Sequence, residues 1–169
     1  MNEIDTRQTG AQMNDDVMAR LTAAVERGRT GDRADARAAL EALWTEIGED
    51  DGDAFHRCVI AHFTADLQDD DRSELLWDER ALAAVAAVTD ERAQKYDESL
   101  QVRSFMPSLY LSLADDHRRL GDADQAADFL ARARSASDAL GDDPYGAMVK
   151  NIMENIAAAL AAGSTERLS

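Results

Sequence analysis

The chain has 169 residues, enough for one domain with a continuous core that needs no disulfide or metal to hold it. Hydrophobic residues make up 45% of it and aromatics only 5%, so the apolar content is mostly aliphatic and favours helices over sheet. The formal net charge of -16 excludes the basic footprint that nucleic-acid phosphates or anionic lipid require.

Residues 1–14 are polar and aperiodic and 163–169 are short of apolar residues, so both are expected as flexible tails around a folded domain spanning 15–162. From Asp16, the apolar residues Val17, Leu21, Ala24 and Val25 recur at helical spacing until Gly28 and Gly31 interrupt them. Asp32 is placed to cap a second helix, in which Ala36, Leu40, Leu43, Trp44 and Ile47 share one face and which Gly48 ends. After the acidic loop Glu49 to Asp53, a third helix carries Phe55, Val59, Ile60, Phe63 and Leu67.

Asp71 or Ser73 is expected to cap the fourth helix, with Glu74 completing a capping box with Asp71, and Leu75, Leu76, Leu82, Val85 and Val88 point to its core face. Thr89 to Tyr96 reads as a polar connection. A fifth helix runs to Leu120, bent or initiated near Pro107, whose missing amide an interior turn would need. Beyond Gly121-Asp122, a sixth helix carries Ala126, Phe129, Leu130 and Ala133 and ends at Gly141. Asp143-Pro144, a cap followed by proline at the first helical position, opens a seventh with Met148, Ile152, Ile156 and Leu160.

Superimposing Gly31-Asp32 on Gly121-Asp122 reveals an internal repeat: Ala24 then matches Ala114, Ala36 matches Ala126 and Leu40 matches Leu130. The segment from Pro107 to Leu140 resembles the tetratricopeptide repeat, a helix pair of about 34 residues. Tyr110, Leu113, Ala114 and His117 stand at its first-helix positions, and Ala126 and Leu130 at its second-helix positions; the closing proline is absent. The segment from Val17 to Asp50 matches more weakly through Ala23, Ala24, Gly31, Ala36 and Leu40, and a middle repeat through Phe55 to Val88 is degenerate. The run from His62 to Asp69, with Trp77 to Leu82 after it, is also similar to short actinobacterial tetratricopeptide proteins.

The resemblance implies an all-α fold of antiparallel helix pairs stacked as a right-handed superhelix, about seven helices with the last as a cap, and a concave groove that binds peptides. In that frame His62, Asp66, Asp115, Arg118 and Arg119 face the groove. Arg118 and Arg119 are placed to hold a partner carboxylate, the alternative being surface ion pairs with Asp115, Asp122 or Asp124. The family's C-terminal carboxylate clamp is excluded, because Leu21, Val25, Val59, Ser108 and Ser112 occupy its positions.

Chemistry-bearing motifs are sparse. His62 and Asp66 share a helical face four residues apart, but neither His56 nor His117 adds a metal-ligand pattern, and His117 at the repeat's aromatic position reads as a packed ring. Trp77 with Arg80 reads as a helix seam before a recognition edge. Asp69-Asp70-Asp71 and Glu49 to Asp53 lack the alternating ligands of a calcium loop and are turns. No phosphate loop, nucleophile elbow or paired catalytic motif is present.

Cys58, the only cysteine, lies beside Val59 and Ile60 and reads as a small buried hydrophobe. The start Met-Asn-Glu-Ile-Asp has neither the basic region nor the apolar run of a secretory signal, and no apolar stretch is long enough to span a bilayer. The expectation is a cytoplasmic, non-enzymatic protein- or peptide-binding module without catalytic residues, metal or cofactor, whose partner is neither nucleic acid nor membrane. The alternatives are a self-assembling helical-repeat homodimer and, behind it, a small metal-dependent hydrolase using His62, Asp66 and His117.

Overall fold

A computed structural model describes residues 3–48, 50–97 and 99–169, with side chains from residue 16 onward. Helices α1 (Glu3–Arg29) and α2 (Arg33–Ile47) pack as a pair, as do α3 (Ala54–Ala65) with α4 (Asp71–Val85) and α6 (Met106–Arg119) with α7 (Ala123–Ala136). The short connections within each pair force an antiparallel arrangement. A five-residue helix α5 (Asp90–Gln94) bridges the second and third pairs, and α8 (Pro144–Ala161) packs across α6 and α7. No strand occurs among the described residues.

The two Gly-Asp turns share one backbone solution. Gly31 and Gly121 take positive φ (114° and 83°), and the amide of the following aspartate donates back to the carbonyl five residues earlier, Asp32 to Arg27 at 3.2 Å and Asp122 to His117 at 2.8 Å. That bond closes the end of a helix, and only glycine adopts the preceding conformation without steric cost. The flanking small residues are buried in both pairs, Ala24 and Ala36 in the first and Ala114 and Ala126 in the second, with Leu40 and Leu130 filling the equivalent interior space.

Several element ends differ from the sequence reading. Helical backbone of α1 begins at Glu3, in place of the tail expected over 1–14. Asp32 precedes α2 without a side-chain capping bond. Asp70, not Asp71 or Ser73, caps α4: its carboxylate accepts from the Ser73 amide at 2.8 Å and the Ser73 hydroxyl at 2.7 Å. Thr89 caps α5 inside the expected connection by accepting from the Arg92 amide. Pro107 lies in the first turn of α6, so it initiates this helix without bending it.

At α8, the Asp143 carboxylate accepts from the Gly146 amide at 2.7 Å, as the cap-proline pattern implied. Gly146 is required for another reason: a Cβ there would meet the Gly141 carbonyl oxygen at 2.1 Å. The final segment is not a loose tail, since the Ser164 and Glu166 carbonyls accept from Arg118.

Two apolar clusters form the interior. The larger joins α1 to α5 and the start of α6 around Leu40, Trp44, Phe55, Ile60 and Trp77, with the two indoles edge-on at 5.3 Å. The smaller joins α6, α7 and α8 around Leu111, Leu130, Val149, Met153 and Ile156. Where α4 meets α6 the packing is polar, and this charged layer underlies the site described next.

Candidate functional site, a groove over a buried carboxylate layer

A cavity of about 660 Å³ opens between α3, α6 and α8. One wall is apolar: along α8, Tyr145, Met148 and Ile152 project into it above the buried Val149 and Ile156, and Leu168 closes the end. Met148 is 52% and Ile152 40% exposed, although the helical stripe of α8 already buries Val149, Met153 and Ile156 in the core. The opposite wall is polar and acidic, with His62 and Asp66 from α3 and its end, Glu74 from α4 and Asp115 from α6. Ser108 and Tyr145 share a 2.7 Å hydrogen bond that ties α6 to α8 across the groove. Among the described residues, Arg29 is the one arginine lining it.

Of the five sequence-predicted groove residues, His62, Asp66 and Asp115 line this cavity; Arg118 and Arg119 do not serve as ligand contacts. Arg118 is 2% exposed, bonded through Nε and Nη2 to Asp115 (2.9 and 2.7 Å) and through Nη1 and Nη2 to the Ser164 and Glu166 carbonyls (2.6 and 2.8 Å). Arg119 is 7% exposed and reaches Asp71, Glu74 (2.8 Å), Asp115 (2.9 Å) and Asp116 (2.7 Å). Both guanidiniums are consumed internally: they pair with Asp115, as the ion-pair alternative has it, but buried and not at the surface, and neither is placed to hold a partner carboxylate. Arg167 adds a second bridge to Asp71 (3.0 Å) and Glu74 (2.8 Å), so the C-terminal segment locks onto α4 and α6.

Beneath the groove, α4 and α6 press carboxylates together. Burial, and then the nearby charges of Asp78 and Glu74, push the Asp116 carboxyl up to about 10, against the pull of Arg119. His62 Nδ1 lies 3.6 Å from Asp78 Oδ1. Burial of the His62 ring opposes its charging, but Asp78 and Asp66 outweigh that and raise its pKa. Asp66 is reached by solvent and its carboxylate accepts no hydrogen bond from a described residue, yet surrounding protein raises its pKa, with Asp78 and Glu74 adding to the effect.

The remaining candidates are structural. His117 stacks flat on Phe129 at 5.5 Å, turned toward α7 and so apart from the His62 wall. Tyr110 flanks the same ring at 6.3 Å, and Leu113 is fully buried. Trp77 is buried against Trp44, with the Arg80 guanidinium 4.3 Å above its ring. Cys58 is buried, and burial pushes its thiol up to about 12, far from a reactive thiolate.

Sequence reasoning passed over Asp78 and Asp116. The signal was present: Asp78 sits on the face that buries Trp77, Ala81 and Val85, and Asp116 falls in the stripe of Leu109 and Leu113. An aspartate inside an apolar stripe marks a buried polar site. Glu74, read as a capping residue, instead pairs with Arg119 and Arg167. Compared with known proteins, the chain matches no protein-family model, no curated protein and no solved structure.

Proposed function

We propose that the protein is a non-enzymatic binding module whose helix pairs stack as a tetratricopeptide-like superhelix, with α8 as its cap. Its groove takes an amphipathic protein segment that carries Arg or Lys beside large apolar side chains. The reading rests on the division of the groove into an exposed apolar wall on α8 and an acidic wall that includes the solvent-reached Asp66. Large exposed side chains in a concave surface are the usual anchor sites of a bound segment. With Arg118 and Arg119 consumed, acid predominates on the groove's polar wall, and the net charge of -16 attracts the same kind of partner. The matched Gly-Asp turns and the buried alanines at equivalent positions support the repeat arrangement.

Selection from a random peptide library on the immobilised protein, with Ile152→Asp as the counter-target, tests this reading. Enriched sequences are expected to combine Arg or Lys with aliphatic or aromatic residues and to bind the variant at least tenfold more weakly. No enrichment, or equal binding to the variant, contradicts it. A dimer in light scattering that Met148→Asp or Ile152→Asp dissociates would instead make the apolar wall a self-association face.

A further inference from the structure

The ion-pair network leaves two buried carboxylates incompletely satisfied. Asp78 is 2% exposed, its carboxylate accepts no hydrogen bond from a described residue, and Oδ1 is fully enclosed. Asp116 has no exposed surface; its Oδ1 accepts from Arg119 at 2.7 Å, but its enclosed Oδ2 has no donor. One carboxylate oxygen from each of Glu74, Asp78 and Asp116 lies within 4.8 Å of the others. His62 Nδ1 is likewise enclosed and without a partner, 3.6 Å from Asp78 Oδ1 and too far to hydrogen-bond to it. Oxygens and nitrogens in this state carry a large desolvation cost unless something positive sits among them.

Charge points the same way. The layer gathers five carboxylates, Asp71, Glu74, Asp78, Asp115 and Asp116, around three guanidiniums, Arg118, Arg119 and Arg167, so two negative charges remain when all are ionised. In the metal-free protein the proton that Asp116 retains offsets one of them; a divalent cation that displaces this proton balances both. Ligand atoms of such an ion, each about 2.1 Å from it, lie about 3 Å apart when adjacent and about 4 Å apart when opposite, a contraction that side-chain rotation can supply. Arg119 does not block coordination, because a carboxylate oxygen has a second lone pair and can accept from Arg119 while binding a metal.

We propose that Glu74, Asp78 and Asp116 form a binding site for a hard divalent cation, for which Mn²⁺ serves as the probe. Three carboxylates select a hard ion over a soft one. His62 and Glu74 also line the groove, so the ion enters from there. The site stands independently of what segment the groove binds.

The full-length protein, stripped with a chelator, is titrated with Mn²⁺ by calorimetry, and free Mn²⁺ is followed by its electron paramagnetic resonance. One tight ion per chain is expected, with a rise in Tm on loading and a loss of at least tenfold in affinity in both Asp78→Asn and Asp116→Asn. Both variants are near-isosteric, and an amide at either position can donate a hydrogen bond as a protonated carboxyl does, so the metal-free Tm should be no lower than that of the wild type. If either fails to fold, Glu74→Gln at the groove edge is expected to show the same weakening. Absence of saturable Mn²⁺ binding overturns the proposal and leaves a proton shared between Asp78 and Asp116 as the compensating charge. Affinity unchanged in the variants overturns it too, assigning the bound ion to the acidic surface.

Discussion

Arg119 illustrates how a residue read as surface becomes interior. Its guanidinium lies among Asp71, Glu74, Asp115 and Asp116, so Arg119→Met strands several buried or half-buried carboxylates and is expected to cost about 3–5 kcal/mol in urea denaturation. A loss below about 1 kcal/mol would mean that the network contributes little. The repeat frame that the family resemblance implies put His62, Asp66 and Asp115 on the groove side, and all three line the cavity. That frame could not foresee the burial of Arg118, which depends on carbonyls of Ser164 and Glu166 more than 40 residues away. His56 offers a pH test at this scale. Its buried ring has Arg92 Nη2 at 3.3 Å from Nε2, and burial, with Arg92 adding, lowers its pKa despite Asp53. The unfolded histidine, with a pKa of about 6.5, therefore takes up a proton more readily than the folded one, and folding stability falls as pH drops through that value toward the folded pKa. The stability advantage of wild type over His56→Gln is expected to shrink between pH 7.5 and 5.5, and a gap independent of pH would contradict this account.

Among the elements, helix positions followed from apolar periodicity and the two Gly-Asp turns, whereas helix ends depended on which polar side chain won the cap. Asp70 won at α4 because it meets both the amide and the hydroxyl of Ser73, and Thr89 nucleated a five-residue helix too short for any periodic signal. The last segment, 164–169, carries no apolar pattern, so its docking is legible only from its partners. Its removal deprives Arg118 of two acceptors and takes away Arg167, at an expected cost of about 1–3 kcal/mol. The same truncation in an Arg118→Met background should cost clearly less, because the two changes remove shared bonds. Equal costs in the two backgrounds would show that the segment does not act through Arg118.

At the scale of the whole molecule, the fold sets an apolar helix face opposite an acidic one and leaves the space between them open. The all-helical architecture was legible from composition and spacing, since Ala- and Leu-rich stripes admit few other arrangements. The groove's chemistry was not, because it depends on which charges neighbouring pairs neutralise. No helix of the described residues is long and apolar enough to cross a membrane, so the exposed Met148 and Ile152 are not part of a spanning segment. Exposed as they are, Met148→Asp and Ile152→Asp should each change stability by no more than about 0.5 kcal/mol. The most direct measurement is a fluorescence-anisotropy titration of a labelled amphipathic Leu/Arg helical peptide against wild type, Ile152→Asp and Asp66→Lys. Saturable binding to the wild type is expected, weakened at least tenfold in Ile152→Asp and weakened in Asp66→Lys most strongly at low salt. Binding of equal strength to all three proteins, or none to the wild type, would contradict the assignment of the groove as the binding site.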